Sequence, residues 1–285
     1  MQVHQQFGNH QNIMPLKAFY ENSSEVKVPR NIPRDDRDQF YKWRQGYESV
    51  VGKPVMVFEE CRYGDLFNFV RAHGEIRDPK FLKYLFLQVC QGLNALHTDG
   101  NMAHMDIKLE NILIGNDGKL KLCDFGMVQP ADADLTKRMG TEMYMAPEVQ
   151  NKRLGETYKG IPADIFGMGV LLWILQFAAP PHNDTSSTDR NYSILQRNSE
   201  AFWRLHPCVR KWGSAIDEDF KSLMTSMMSS DLEKRPQSIT EVMQHPFFTK
   251  EAELIDATTN DWSCAEALHK QFQQSLARLF DNKED

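Results

Sequence analysis

Four residues of chemically useful type crowd into one short stretch, HMDIKLENILIGNDGKLKLCDFG, from His104 to Gly126. Two carboxylates, Asp106 and Asp124, bracket it, and Lys108 and Asn111 lie between them. On a loop, Asp106 could accept a proton from a hydroxyl, and Lys108, two positions on, could balance charge developing on a phosphate. Asn111 and Asp124 carry hard oxygen donors of the kind magnesium prefers. ILIGNDGKLKLC has two apolar runs around Asn-Asp-Gly, a hairpin signal, and such a hairpin would return Asp124 to the side of Asn111. The set reads as a site that presents a metal-bound polyphosphate to a hydroxyl nucleophile. Each residue has a plainer rival. Asp106 and Lys108 could be a surface ion pair, Asp124 a turn cap, Asn111 a hairpin residue and His104 a packing residue.

Elements able to hold such a loop flank it. PKFLKYLFLQVCQGLNALHTDG begins with Pro79, which suits a first helical turn, and ends near Gly100. Leu82, Leu85, Phe86, Val89, Leu93 and Leu96 keep 3–4 spacing, which predicts a helix with one buried face. IMPLKAFYE reads as a strand, and VMVFEE (55–60) as a buried strand. A turn at Gly64 leads into a short helix carrying Leu66, Phe67 and Val70. IFGMGVLLWILQFAA (165–179) follows the charged Asp164 and suits a buried core helix better than a membrane span. Gly167 and Gly169 within it read as helix packing rather than phosphate binding. Residues 21–54 form a long polar loop whose RNIPRDDRDQ run is either a docking surface or a solvated insertion. In CAEALHKQFQQSLARLF, Leu268, Phe272, Leu276 and Leu279 share one helical face, which could dock on the body of the protein or bind a partner.

Bulk properties narrow the class. The 285 residues are 41% hydrophobic and 25% charged, as in ordinary globular proteins, and are enough for one large or two modest lobes. A net charge of -6 argues against a broad nucleic-acid surface. The five cysteines are dispersed and form no C-x-x-C, which points to reduced thiols rather than disulfides or zinc. The first residues lack a basic start followed by an apolar segment, so the expectation is a cytoplasmic protein without a membrane span. The histidines show no metal-ligand spacing.

HMDIKLEN, then DFG, then MAPE (145–148) resembles the catalytic core of a eukaryotic protein kinase. DIKLEN and GTEMYMAPE are similar to its serine/threonine branch, with Thr141 at the substrate-pocket position. PADIFGMGV resembles the buried helix whose aspartate, here Asp164, holds the catalytic loop, and EKRP supplies Arg235 as the partner of Glu148. Any one string is weak; together, in family order and at family spacing, they are specific. The resemblance covers about residues 1–250 and implies an α+β, two-lobed protein kinase fold with a nearly complete helical C-lobe and a truncated N-lobe sheet. The implied division is 1–60 for the N-lobe, with an insertion at 21–54, then 61–250 for the C-lobe and 251–285 for a helical tail. FWRLHP and HPFF resemble calmodulin-dependent-type kinases loosely.

The resemblance implies transfer of the γ-phosphoryl group of ATP, with Mg2+, to a serine or threonine hydroxyl of a protein substrate. Asp106 would orient and deprotonate the acceptor. Lys108 would stabilise phosphate charge, while Asn111 and Asp124 would hold the metal. VFEECRYGD looks like the segment joining the lobes. There Phe58 would guard the back of the nucleotide pocket, and Glu59 and Cys61 would present backbone groups to adenine. Asp65 would meet the ribose, or else cap the short helix, and Leu113 would pack under the base. His104 would be a packed core residue.

Two departures from the family bear on competence. NHQNIMPL resembles the segment after the N-lobe helix, and counting back nine residues from His10 places that helix's glutamate at Met1. The glycine-rich loop and strand lysine of the family are not in the sequence, so weak nucleotide binding and little transfer are expected of this chain. Met105 replaces the arginine that pairs with an activation-segment phosphate, and Gln129 stands where a second basic residue often helps. Activity is therefore expected not to depend on activation-segment phosphorylation, for which Thr136 is the nearest candidate. Rival readings are a non-catalytic pseudokinase scaffold acting through the C-lobe and a small-molecule phosphotransferase, the latter disfavoured by GTEMYMAPE. Oligomeric state is left open.

Overall fold

The computed structural model describes residues 3, 6–21, 53–250 and 265–281. Most of the polar 21–54 loop, including RNIPRDDRDQ, lies outside them, as does Cys264. The architecture is α+β: small two-stranded sheets set against a large helical body.

Strands β1 (Leu16–Tyr20) and β2 (Val55–Phe58) pair antiparallel, with Phe19 opposite Met56 and Tyr20 opposite Val55. The expectation of a buried strand at 55–60 is corrected here, since Met56 is 48% and Val57 37% exposed. β-Branched and aromatic residues mark an extended chain; they do not say how many of its faces are covered. Ahead of β1, the chain is stitched to the helical body. Met14 N donates to Leu122 O at 2.9 Å, Leu122 N donates to Asn12 O at 2.9 Å, and Asn12 Nδ2 donates to Leu120 O at 2.9 Å. Gly92 permits this approach, because a Cβ there would lie 2.4 Å from Asn12 O.

Gly64, at φ +71°, turns the chain into helix α1 (Leu66–His73). Helix α2 (Pro79–Thr98) follows, with Asp78 accepting from Lys80 N as its cap and Pro79 in its first turn. The predicted stripe is buried along its whole length. β3 (Met102–Ala103) leads into the chemically loaded stretch and pairs with β6 (Gln129–Pro130). Between them, β4 (Ile112–Ile114) and β5 (Leu120–Leu122) form the expected hairpin, with Ile112 opposite Leu122 and Gly118 at φ +75° in its turn.

The short helix α3 (Pro147–Gln150) precedes α4 (Gly160–Phe177), the centre of the helical body. By length and composition α4 could span a membrane, but almost all of it is buried inside the protein. A helix apolar on every side needs cover on every side. Its Trp173 ring lies 4.4 Å from Phe177, 5.3 Å from Phe202 and 5.4 Å from Trp203. Those partners belong to α4 itself and to α6 (Ser199–Leu205), which follows α5 (Arg190–Arg197). Four further short helices complete the body: α7 (Pro207–Trp212), α8 (Glu218–Met227), α9 (Ile239–Met243) and α10 (Pro246–Thr249). The tail forms α11 (Glu266–Leu276) and a π-helical end (Ala277–Asp281). Its Leu268, Phe272 and Leu276 are buried, so the tail docks on the protein's own body.

Candidate functional site

The loop after β3 is organised from beneath by one carboxylate. Asp164, in the first turns of α4, is buried among apolar neighbours, where an unpaired charge would be very costly. It accepts from His104 N at 2.6 Å, from Met105 N at 2.8 Å and from His97 Nε2 at 2.9 Å. These bonds hold Met105 at φ +69°, a left-handed conformation that a non-glycine residue adopts only when its surroundings enforce it. The Met105 side chain is itself buried and packs beside Gly160, where a Cβ would come within 3.0 Å of its sulfur.

His104 is a packed core residue. Its Nε2 donates to Cys123 O at 2.9 Å, and its Nδ1 accepts from Asp106 N at 3.3 Å. That pattern requires a neutral ring with the proton on Nε2, and burial holds its pKa below the ordinary value. Its ring meets Phe125 edge to face at 5.4 Å. The imidazole thus ties the loop to the Asp124 turn and has no lone pair left for proton transfer.

Asp106, Lys108, Asn111 and Thr141 form one hydrogen-bonded group. Lys108 Nζ donates to Asp106 Oδ2 at 2.6 Å and to Thr141 Oγ1 at 3.1 Å. Thr141 Oγ1 donates to Asp106 Oδ1 at 2.7 Å. Asn111 Nδ2 donates to Asp106 O at 2.8 Å and Oδ2 at 3.1 Å. Burial pushes the Asp106 carboxyl up, but the Lys108, Thr141 and Asn111 hydrogen bonds and the Lys108 charge outweigh it, and the net pKa lies below the ordinary value. Asp106 and Lys108 are therefore no surface ion pair: the Asp106 side chain is 4% exposed.

The hairpin returns Asp124 as expected. Cys123 N donates to Asn111 O at 2.9 Å, which sets Asp124 one residue beyond the partner of Asn111. Asp124 adopts φ +57° and its Oδ1 accepts from Gly126 N at 3.3 Å, so it also caps the turn Phe125–Met127. The Asn111 amide nitrogen is committed to Asp106, which fixes its oxygen as the free donor atom. That oxygen and the Asp124 carboxylate are a hard donor set of the kind magnesium takes alongside phosphate and water, and they fit that ion.

Asp124 lines a cavity of ≈ 390 Å³ together with Met14, Met56, Phe58, Leu113, Cys123, Phe125 and Gly126. Its size and mainly apolar walls suit a small organic ligand. Phe58 and Leu113, both expected at a nucleotide pocket, are among the residues that line this cavity. Glu59, Cys61 and Asp65 are not among the lining residues. Glu59 Oε1 lies 3.6 Å from Lys121 Nζ, and Cys61 O accepts from Gly64 N at 2.9 Å. Burial, with the Glu59 charge beside it, pushes the Cys61 thiol up to about 11. Asp65 is the cap of α1, with Oδ1 accepting from Asn68 N at 2.7 Å and Oδ2 from Asn68 Nδ2 at 3.0 Å. Asp106 opens on a different, smaller hollow shared with Gly140, Thr141 and Tyr144. The two carboxylates are joined through the Asn111–Cys123 backbone pair rather than across one cavity.

The segment beyond Asp124 is held by its own contacts. Leu135 and Tyr158 exchange backbone hydrogen bonds at 3.0 and 3.1 Å, and Tyr158 OH donates to Lys137 O at 2.6 Å. Lys159 Nζ reaches Asp132 O at 2.6 Å and Asp134 Oδ1 at 2.9 Å. Exposed Thr136 lies between these anchors. Gly140, at φ +101°, brings the segment against Met105, since a Cβ there would lie 2.7 Å from Met105 O. Below it, the Arg235 guanidinium is fully buried and grips Glu148 with two bonds of 2.6 and 3.1 Å. It also donates to Pro162 O and Ser229 O.

Sequence reasoning missed His97, which steadies Asp164, and the Asn12–Met14 segment. His97 follows a stripe leucine on α2, and its only signal is a polar residue on a buried face. Asn12 shows no local signal at all.

The model of the protein kinase domain matches residues 1–248. Among similar curated proteins, a probable serine/threonine-protein kinase, fhkE, of Dictyostelium discoideum is 31% identical over 87% of this chain and 35% of its own length. The probable serine/threonine-protein kinase CCRP1 of Zea mays is 28% identical over 79% of this chain and 33% of its own. Serine/threonine-protein kinase chk1 of Schizosaccharomyces pombe is 28% identical over 74% of this chain and 40% of its own. The chain therefore spans a third to two fifths of the length of these relatives. With its helical body, small sheets and matching loop, the chain belongs to the eukaryotic protein kinase family, in the serine/threonine branch, and has that family's two-lobed α+β fold.

Proposed function

We propose that this chain carries the site for transfer of the ATP γ-phosphoryl group to a serine or threonine hydroxyl of a protein. The supporting observation is the bonded group of Asp106, Lys108, Asn111 and Thr141. It leaves Asp106 ionised and fixed in direction, as a group receiving a hydroxyl proton must be. ATP with magnesium supplies the phosphoryl group and neutralises its charge, and Asn111 and Asp124 are the residues that would hold the metal. Asp106 orients the acceptor hydroxyl and takes its proton. Lys108, already beside the Asp106 carboxylate, balances the negative charge gathered there. Thr141 keeps both at fixed spacing, and Phe58 and Leu113 wall the base end of the cavity.

The test is MgATP binding and phosphorylation of a generic serine/threonine peptide by the chain, with Asp106→Asn as comparison. Turnover that falls at least about 100-fold in the variant, with binding retained, supports the reading. Equal residual rates in the two proteins refute it, and MgATP binding without any turnover favours a scaffold.

Order in the activation segment does not rest on a phosphate in this reading. Met105 offers no charge to one, and the Leu135–Tyr158 and Lys159–Asp134 contacts supply the anchoring. Thr136→Ala is expected to leave turnover within about twofold, because a substitution at an exposed side chain outside the bonded group perturbs little. Loss of activity in that variant contradicts the reading.

A further inference from the structure

The tail does more than cover apolar surface. Phe272 is fully buried, with its ring 5.1 Å from Phe69, 5.8 Å from Phe81 and 6.5 Å from Tyr84. The Tyr84 hydroxyl and His269 Nδ1 lie 2.7 Å apart. From that seat the tail reaches two separate turns. Gln273 Nε2 donates to Asp117 O at 3.2 Å in the β4–β5 turn. At the π-helical end, Phe280 packs on Tyr63 at 6.4 Å, and Asp281 Oδ2 lies 3.7 Å from Arg62 Nη2, in the turn after β2.

Those two turns are bonded to each other. Arg62 N donates to Asn116 Oδ1 at 3.1 Å, and Ile114 N donates to Gly64 O at 2.9 Å. Asp65 and Leu113 form an isolated β-bridge beside them. Each turn continues directly into a wall of the ≈ 390 Å³ cavity, one through Phe58 and the other through Leu113. We infer that the tail, 265–281, is a clamp that positions the Phe58 and Leu113 walls of the nucleotide cavity, with Phe280 and Gln273 as its positioning residues. This rests on the reading of that cavity as the nucleotide site.

The Arg62–Asp281 pair is exposed and contributes little, so the ring packing of Phe280 on Tyr63 and the Gln273 hydrogen bond carry the effect. Because coupling between sites is reciprocal, a tail that tightens nucleotide binding is itself tightened by the nucleotide. A tail that merely adds stability would show neither effect.

The experiment uses the full chain and the double variant Phe280→Ala, Gln273→Ala. Gln273 is exposed on α11 and Phe280 is partly buried in the π-helical end, and Lys270→Ala on the exposed face of α11 is the control. MgATP affinity is measured by calorimetry, amide exchange by mass spectrometry and retention of fold by circular dichroism. The expected result is a Kd about threefold to tenfold higher in the double variant and unchanged in the control. Faster exchange at Arg62 and Ile114 accompanies it, and MgATP slows tail exchange in the parent chain. A double variant whose tail exchanges faster while its Kd and the exchange at Arg62 and Ile114 stay at parent values overturns the clamp. Failure of the parent chain to bind MgATP removes the nucleotide reading instead. The exchange at Arg62 and Ile114 then decides the clamp alone: faster exchange supports it, and parent-like exchange overturns it.

Discussion

Asp164→Asn isolates what the buried carboxylate beneath the loop does, because the replacement keeps shape and removes charge. Oδ2 accepts from His104 N and His97 Nε2, and Oδ1 accepts from Met105 N. Whichever way the amide turns, its NH2 group faces a backbone N–H that can only donate. The milder orientation keeps oxygen toward His104 and His97 and orphans Met105 N. A buried unsatisfied donor costs about 1–3 kcal/mol, and the bonds that remain lose their charge assistance. Met105 at φ +69° is then released from its tether, and relaxation there moves Asp106, its neighbour in the chain. We expect a loss of about 2 kcal/mol, which lowers Tm by about 4–8 °C. Turnover should fall about 10-fold to 100-fold, because a shift of about 1 Å in a catalytic group has that effect. Scanning calorimetry and peptide phosphorylation on the same preparation measure both. An Asn variant with the parent Tm and turnover would refute the claim that this carboxylate shapes the loop.

Further outcomes follow from the same geometry. Thr141→Ala removes the 2.7 Å bond to Asp106 and so raises the depressed Asp106 pKa. The unfolded state binds more protons than the folded one near the ordinary Asp value of about 3.9, so this contribution is present above that pH and is lost as pH falls through the folded value. Rate–pH and acid-unfolding profiles of the variant should both move to higher pH, and unmoved acid limbs would count against the role given to Thr141. Arg235→Lys replaces a five-donor fork with a point charge at a site where Glu148, Pro162 and Ser229 all accept. Urea unfolding should show a loss of about 2–4 kcal/mol, and a loss within error of zero would contradict the buried clamp. Gly140→Ala should lower turnover more than stability, because its Cβ meets Met105 O at 2.7 Å on the loop itself; kcat beside Tm is the measurement, and equal kcat in both proteins would sink the idea.

What could be read in advance was the chemistry that is local in sequence. The hairpin from Ile112 to Leu122 follows from Asn-Asp-Gly between apolar runs, and α2 from its 3–4 stripe, so the return of the chain from Asn111 to Asp124 was legible, whereas the separate hollows on which Asp106 and Asp124 open were not. Properties set by distant partners were not legible. The exposure of Met56 depends on what lies over the sheet. The role of His97 depends on α4, far along the chain. Asp65 carried two readings, and only the fold shows both its oxygens turned to Asn68. Cys61 and Glu59 were located along the chain, but their distance from the cavity walls depends on turn geometry at Gly64.

Among the described residues, two contacts tie the ends of the small β1–β2 sheet to the helical body. One is Met14 N on Leu122 O, and the other is the Glu59–Lys121 pair. Both sit on β5, at the neighbouring residues Leu122 and Lys121. The chain thus enters and leaves the sheet against one strand, and that strand leads two residues on to Asp124. A displacement of β5 would therefore carry both the Phe58 wall and Asp124 with it, so opposite sides of the cavity share one support.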